Sequence, residues 1–257
     1  MRILLTNDDG IHAPGLRALR EALATLGEVQ VVAPAAEQSG VALSITYLHP
    51  LTAREELKDG GHYGWAVAGS PADCVKLGVL KFCKGRPDLI VSGINSGANV
   101  GINVLYSGTV AGAIEGAFFG IPSFAVSHAM DNPPDYARAA RIACGLIPEL
   151  MKQPHIPGTL WNINVPRNQP GWPLGVRLAS MGVKRYAELI EERVDPRGRP
   201  YFWSGIDARE DRNMDTGTDL RELGDGYVTV TPLRFDLTHH DRLGTLRANG
   251  LTLELPQ

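Results

Sequence analysis

Cysteine is scarce in this chain of 257 residues, which contains only Cys74, Cys83 and Cys144. An odd number of cysteines, none at metal-ligand spacing from another, excludes a disulfide framework and a cysteine-bound zinc site. Such sparse cysteine is typical of a reducing compartment. We therefore expect a cytoplasmic protein.

Long apolar runs are also missing. The longest apolar-looking segment, residues 110–126, contains Glu115 and is interrupted by Pro122, so it falls short of the roughly 20 residues that span a membrane. At the N-terminus, the apolar residues 3–5 are too few for the core of a signal peptide. The sequence therefore predicts no membrane segment.

Neither sign of charge dominates, because 25 lysines and arginines face 28 aspartates and glutamates, for a net charge of −3. A chain without a broad basic field is a poor partner for a nucleic-acid duplex. Three catalytic or nucleotide motifs are missing as well: the Walker A loop, the Gly-x-Ser-x-Gly elbow and the His-Glu-x-x-His helix. Gly93, Gly97 and Gly101 are four residues apart, which does not match the dinucleotide fingerprint.

Apolar runs alternate with segments of helical period through the first 165 residues. The runs predict buried strands at residues 3–5, 29–32, 63–67, 88–92, 121–127 and 160–165, and a strand outside the main sheet at 43–48. Helices are predicted from Pro14, from the Ser70-Pro71 cap, and over residues 110–119 and 136–151. This alternation is typical of an α/β fold with a mostly parallel sheet flanked by helices.

The second half of the chain has a different pattern. We expect a core over residues 1–165 and a β-rich arm with a C-terminal segment over 166–257. Residues 184–222 are rich in charge and poor in apolar side chains, which indicates either a mobile loop or an arm packed on another subunit. Tyr201-Phe202-Trp203 would anchor such an arm, or would latch it onto its own domain. A strand at 226–230 and a helix at 238–246 follow, with His239 and His240 as surface or helix-cap residues.

Three loops at predicted strand ends carry the candidate chemistry. The first is Asn7-Asp8-Asp9-Gly10, where a turn can aim two carboxylates at one point. Two like charges held close together repel each other, and a divalent cation relieves that repulsion. The alternative is a plain turn in which Asp8 caps the next helix. His12, the nearest histidine, is interpreted as a turn residue rather than a ligand.

The second loop, residues 33–40, offers the hydroxyl of Ser39 beside Gly40, and its alternative is an ordinary polar loop. The third, residues 92–101, is dense in glycine and asparagine, and Ser107-Gly108-Thr109 then opens a helix of small residues. Free N–H groups at a helix N-terminus bind anions, and phosphate is a typical guest. The alternative is that Ser107 or Thr109 is only a helix cap.

Together the loops supply oxygen ligands, which favour a hard cation such as Mg²⁺, Mn²⁺ or Ca²⁺ over zinc. A hard cation beside an anion site is suited to the transfer of a phosphoryl group to water. A non-catalytic regulator that binds a nucleotide or phosphate is the competing hypothesis. A haloacid-dehalogenase-like phosphatase would need Asp-x-Asp rather than adjacent aspartates.

At these residues the sequence resembles the SurE family, the stationary-phase survival proteins that act as metal-dependent 5′/3′-nucleotidases. The matching segments extend over nearly the whole chain: residues 3–10, 33–40, 69–75, 88–101, 106–122, 162–166, 218–219 and 228–233. Ser70 departs from the pattern, because the family more often has Thr there. Residues 184–222 match poorly, which leaves the length of the arm and the size of the oligomer open.

The resemblance implies a site and an assembly. It implies one divalent cation per subunit, held by Asp8, Asp9, Ser39 and Asn95. It places the substrate phosphate near Asn99, Ser107, Gly108 and Thr109, with Asn7 and Gly40 lining the pocket. It further implies a Rossmann-like core with an extended arm and a swapped C-terminal element, assembled as a homodimer or homotetramer. We therefore expect hydrolysis of nucleoside 5′- or 3′-monophosphates to nucleoside and phosphate by a metal-bound water, with Asp8 and Asp9 as the catalytic pair.

Overall fold

The computed structural model describes residues 1–183, 188–206 and 215–252. Its strands, in chain order, are β1 (Arg2–Thr6), β2 (Glu28–Pro34), β3 (Ala53–Lys58), β4 (Gly61–Val67), β5 (Leu89–Ser96), β6 (Ser123–His128), β7 (Thr159–Val165), β8 (Val176–Leu178), β9 (Glu188–Val194), β10 (Pro200–Ile206) and β11 (Val228–Arg234). Its α-helices are α1 (Pro14–Leu23), α2 (Pro71–Leu77), α3 (Gly108–Phe118), α4 (Tyr136–Met151), α5 (Asp219–Gly224) and α6 (His240–Ala248).

Within these residues, nine strands form one sheet in the order β3-β4-β2-β1-β5-β6-β7-β11-β8. The six strands from β4 to β7 in that order are mutually parallel, whereas β3 and β11 run antiparallel to their neighbours β4 and β7. The chain winds outward from β1 to β2 and later from β5 to β7 on the other side. The order therefore reverses between β1 and β5, which is where ligands bind in open parallel sheets.

Helices cover both faces of the sheet, as the alternating pattern predicts. On β1, Ile3 and Leu5 are buried in a cluster with α1 and α4, whereas Leu4 is buried in a cluster with α2 on the opposite face. Successive side chains of a strand point to opposite faces, so a strand buried on both sides is apolar throughout. The expected α/β fold is confirmed.

The strand predicted at residues 43–48 is wrong, because the structure has no strand there. Its backbone is instead held by the start of α2: the Ser70 hydroxyl donates to the Ser44 carbonyl at 2.6 Å, and the Thr46 N–H donates to Asp73 at 3.1 Å. The edge strand beside β4 is β3, which the apolar pattern did not predict. Five of the six residues of β3 are exposed, so this edge strand carries no apolar signal.

The segment 184–222 contains a hairpin and a short helix in its described part. Strands β9 and β10 pair antiparallel with each other and form a separate two-stranded sheet. Tyr201, Phe202 and Trp203 are 41%, 61% and 58% exposed, so they do not latch the hairpin onto its own domain. Strands β8 and β11, also from the second half of the chain, join the main sheet.

The predicted C-terminal helix is confirmed as α6. The His239 side chain accepts a hydrogen bond from the Arg242 N–H as the N-cap, and His240 lies 2.5 Å from Asp236. Both histidines are exposed, in agreement with their interpretation as surface and cap residues. Among the residues described above, no helix is long and apolar enough to cross a membrane.

The start of α2 makes a testable contribution to stability. Ser70 accepts from the Asp73 N–H at 3.1 Å, Asp73 accepts from the Ser70 N–H at 3.0 Å, and Ser70 also satisfies the Ser44 carbonyl. We expect Ser70→Ala to lower the free energy of unfolding by about 1–3 kcal/mol in urea denaturation, because a cap and a buried donor are lost. Ser70→Thr keeps the hydroxyl and is the control. An unchanged unfolding midpoint for Ser70→Ala would contradict this role.

Candidate metal and phosphate site

The acidic pair lies on the turn that follows β1, at the point where the sheet order reverses. β1 pairs with β5 so that Thr6 faces Ser92, which brings the ends of the two strands together. Asn7 is buried and donates its side-chain amide to the Gly10 carbonyl at 2.9 Å, which closes the turn. Gly10 has φ +98°, a conformation that favours glycine. The turn aims both carboxylates into one cleft.

Asp8 is buried against the start of α3. Its carboxylate accepts from the Thr109 hydroxyl at 2.5 Å, and Asp8 is only 4% exposed. A Cβ on Gly108 would lie 2.8 Å from the Asp8 Cβ and 2.9 Å from its Oδ2, so glycine is required for this approach. The N-cap of α1 is Ala13, and no side chain caps this helix, so Asp8 contacts α3 rather than capping the next helix.

The Ser107 hydroxyl accepts from the Val110 N–H at 3.1 Å and is the N-cap of α3. Its cap role agrees with the simpler interpretation of this residue. The hydroxyl lines the cleft as well, and it keeps its own hydrogen for a ligand. Both interpretations of Ser107 therefore hold together.

The loop after β2 forms the second wall. The Gln38 N–H donates to the Asp8 carbonyl at 2.7 Å and so ties this loop to the acidic turn. The Ser39 hydroxyl donates to Glu37 at 2.6 Å, and Gly40 follows with φ +70°. Glu37, Ser39 and Gly40 all line the cleft. This loop therefore brings a third carboxylate to the site.

The end of β5 and the loop that follows it form the third wall. The Asn95 side-chain N–H donates to the Gly97 carbonyl at 2.8 Å, which leaves its amide oxygen as a potential ligand. The Ser96 N–H donates to Asp9 at 3.4 Å. Asn95 and Ser96 line the same cleft as the acidic pair.

Asn99 is held by three buried polar side chains of β6 and β7. Its N–H donates to Asn164 at 2.8 Å and its side chain donates to the Ser127 hydroxyl at 2.9 Å. Its carbonyl accepts from Asn162 at 2.8 Å and from Asn164 at 3.1 Å. The backbone around Asn99 is therefore fixed from below by the sheet.

Burial dominates the electrostatics of the acidic pair. It raises the pKa of Asp8, although the hydroxyl and N–H of Thr109 oppose that rise. Burial, then the charge of Asp8 and more weakly that of Glu37, raise the pKa of Asp9 to about 6. Ionising both carboxylates therefore costs free energy in the metal-free protein.

The cleft has a volume of about 480 Å³, and seven of the ten residues expected at the site line it: Asp8, Asp9, Ser39, Gly40, Asn95, Asn99 and Ser107. Asn7, Gly108 and Thr109 lie behind this surface, where they hold the turn or contact Asp8. The cleft is also lined by residues that sequence reasoning did not select: Glu37, Ser96, Ala98, Asn103, Tyr106 and Met130.

Position in the sequence could have indicated most of these additional residues. Glu37 and Ser96 lie inside the two predicted loops, and Tyr106 directly precedes the Ser107 motif. Nothing in the sequence around Met130, which follows β6, indicated that this residue lines the cleft. His12 has a side chain that is 68% exposed, lies 3.7 Å from Glu56 and lines a different cleft, as expected of a residue that is not a ligand.

The donor set fits a hard cation. The residues lining the cleft include three carboxylates and no lysine, arginine or histidine. Across the described ranges, no group of three or more His, Cys, Asp or Glu side chains is arranged to hold a metal ion. A cation here would therefore depend on Asp8 and Asp9 together with hydroxyl and amide oxygens, which are ligands that Mg²⁺, Mn²⁺ and Ca²⁺ accept.

Known proteins share this arrangement of sequence and fold. The sequence model described as survival protein SurE matches residues 3–188. The chain belongs to the SurE family. A "5'-nucleotidase SurE" from Rhodopirellula baltica is 51% identical over 96% of this chain and 98% of its own length. Another of that name, from Desulforudis audaxviator, is 46% identical over 96% of both chains.

A solved structure supports the same assignment. The crystal structure of the SurE protein from Aquifex aeolicus superposes with a TM-score of 0.85 at 36% identity, covering 98% of this chain and 100% of that one. Membership of the SurE family, expected from the sequence motifs, is confirmed.

The raised pKa of Asp9 makes a prediction about the metal-free protein. The folded chain binds this proton more tightly than the unfolded chain, so the contribution of Asp9 to stability is greatest below about pH 4 and is lost as pH rises through about 6. We expect Asp9→Asn to gain stability relative to the wild type over this range and to keep the gain above it. Urea denaturation in EDTA at a series of pH values measures the difference. A difference independent of pH would show that Asp9 is not perturbed.

Proposed function

We propose that this protein is a metal-dependent nucleotidase that hydrolyses nucleoside 5′- and 3′-monophosphates to nucleoside and phosphate. One observation supports this most strongly: the acidic pair and the N-terminus of α3 face one cleft, with the Gly108 backbone against Asp8. The names of the relatives support 5′-nucleotidase activity. A cytoplasmic location, expected from the scarcity of cysteine, belongs to the same proposal.

One divalent cation per subunit would be held by Asp8, Asp9, Ser39 and Asn95. These four residues come from the loops after β1 and β2 and from the end of β5, and all line the cleft. When bound, Mg²⁺ or Mn²⁺ polarises a phosphoryl oxygen and lowers the pKa of water at the site. Asp8 and Asp9 supply the negative charge that holds the cation, and the rigid hydrogen bonds of the turn keep them in place.

The substrate phosphate would lie at the first turn of α3. The Ser107 hydroxyl and the Gly108 N–H lie at this end of the helix, where the helix dipole favours negative charge. Thr109 acts through Asp8, because its hydroxyl donates to that carboxylate. Asn99 and Gly40 also line the cleft, where Asn99 would lie near the phosphate and Gly40 would line the pocket around the substrate.

The division of the chain into a core over 1–165 and an arm with a C-terminal segment over 166–257 remains our proposal, with a homodimer or homotetramer as the assembly. It is supported by the β9–β10 hairpin, which pairs with no other described strand and exposes Phe202 and Trp203. An exposed apolar cluster of this kind is typical of a protein–protein contact. The occupant would be a second copy of this chain.

We expect Phe202→Glu to shift the assembly towards smaller species in light scattering, because a charge is placed in the proposed contact. Ile156→Glu places the same charge at an equally exposed apolar side chain outside the arm and should leave the mass unchanged. A Phe202→Glu variant with the wild-type mass would argue against the arm as the contact.

The activity is tested by phosphate release from 5′-AMP, 3′-AMP and p-nitrophenyl phosphate, with added Mn²⁺ and with EDTA. We expect Asp8→Asn and Asp9→Asn each to lose well over about tenfold in rate, because either change removes charge from the cation site. Asp88→Asn, at the opposite end of the sheet beside Arg2, is the matched control and should keep its rate.

Two outcomes would overturn the assignment. Full metal-dependent turnover by both site variants would show that the acidic pair does not hold the cation. Tight binding of a nucleotide with no phosphate release in Mn²⁺ would identify the protein as a binding regulator instead.

A further inference from the structure

One buried carboxylate outside the acidic pair connects three separate parts of the chain. Asp219, the first residue of α5, has 0% exposure. Its Oδ2 accepts from the Gly101 N–H at 2.9 Å, and its Oδ1 accepts from the N–H groups of Gly182 at 2.9 Å and Leu220 at 2.8 Å. A carboxylate with three backbone donors is well satisfied in a buried position.

The Gly101 end of this network lies beside the cleft, between Asn99 and Asn103, which both line it. Gly101 begins a 3₁₀ turn, Gly101–Leu105, that carries Asn103 and leads directly into Tyr106 and Ser107. Val100, the residue at the cap position of that turn, provides no side-chain hydrogen bond. Asp219 therefore supplies from a distance the acceptor and the negative charge that the N-terminus of the turn lacks.

The other end belongs to the arm. Within the arm, Gly182 lies before the β9–β10 hairpin in the chain and α5 lies after it. Ser180 bridges to Thr218, and the Asp219 N–H donates to the Ser180 carbonyl at 2.8 Å. Asp219 therefore holds together the chain before and after the β9–β10 hairpin. The same carboxylate binds the Gly101 N–H beside the cleft.

We propose that Asp219 is a positioning residue that holds the substrate wall of the cleft, from Asn99 to Ser107, and ties it to the base of the arm. This role rests on the proposed function, because it assigns that wall to the phosphate ester. The sheet fixes the wall at Asn99 through Asn164, and Asp219 fixes it two residues further on. Among the residues that the structure describes, the side chain of Asp219 bonds Gly101, Gly182 and Leu220, and none of these belongs to the acidic turn after β1.

The Asp219→Asn variant tests this link selectively. If the amide oxygen takes the place of Oδ1, it still accepts from Gly182 and Leu220, while the amide N–H₂ opposes the Gly101 N–H. The bond to the cleft is lost and the bonds at the arm are kept. Asp225→Asn, at the exposed end of the same helix, is the matched control, because Asp225 contacts only Arg221 through its side chain in the described contacts.

We expect Asp219→Asn to raise KM for 5′-AMP by about tenfold with little change in kcat, because the wall binds the ground state and the transition state alike. The affinity for Mn²⁺ alone, measured by calorimetry, should stay at the wild-type value. General loosening of the fold would weaken both together. A wild-type KM, or a parallel loss of Mn²⁺ affinity, would overturn the proposal.

Hydrogen exchange separates this inference from the proposed function. We expect the segment 99–106 to exchange faster in Asp219→Asn, while the segment 3–10 keeps its protection. Binding of inorganic phosphate in the presence of Mn²⁺ should weaken about tenfold in the same variant. If the wild type releases no phosphate from nucleotides, the proposed function fails and these two measurements still decide the role of Asp219. Unchanged exchange at 99–106 would refute it.

Discussion

The close approach of α3 to Asp8 is the constraint on which the site depends. With no side chain at residue 108, the backbone of Gly108 lies against the Asp8 carboxylate, and Thr109 donates its hydroxyl to it. This contact brings the positive end of a helix beside a negative side chain, which is favourable. It also keeps the helix end close to the place where we propose a cation. The proposed cation site and the proposed phosphate site therefore lie next to each other.

The sheet makes that approach possible. β1 lies between β2 and β5, and the loops that follow these strands leave in different directions. The crevice between them admits the start of α3 from one face. The loop after β2 is bound to the acidic turn through Gln38, and the end of β5 is bound to it through Ser96. The three walls therefore share one rigid base, in which Asp8 and Asp9 occupy fixed positions.

The sequence predicted what depends on local pattern and missed what depends on distant contacts. Buried strands and amphipathic helices have a period that can be read directly, and α4 was predicted at its observed bounds. Strand β3 is polar and exposed, and the segment 43–48 looks like a strand but is held by Ser70 and Asp73, so neither could be recognised from period alone. Only the folding of β6 brings Met130 to the cleft, and only the folding of α5 brings Asp219 to the Gly101 N–H beside it.

The negative charge of the cleft would make the binding of an anion depend on the binding of a cation. Asp8, Asp9 and Glu37 face the space that a phosphate ester would enter, and no basic side chain lines it. An anion entering alone would be repelled by the carboxylates, and the donors at the start of α3 offset only part of that repulsion. The cation that we propose at the acidic pair would reverse the local field, relieve the cost of ionising Asp9 and attract the phosphate. By linkage the phosphate would strengthen the binding of the cation to the same degree. A carboxylate pair that is unfavourable by itself would then be the means by which the two ligands bind cooperatively.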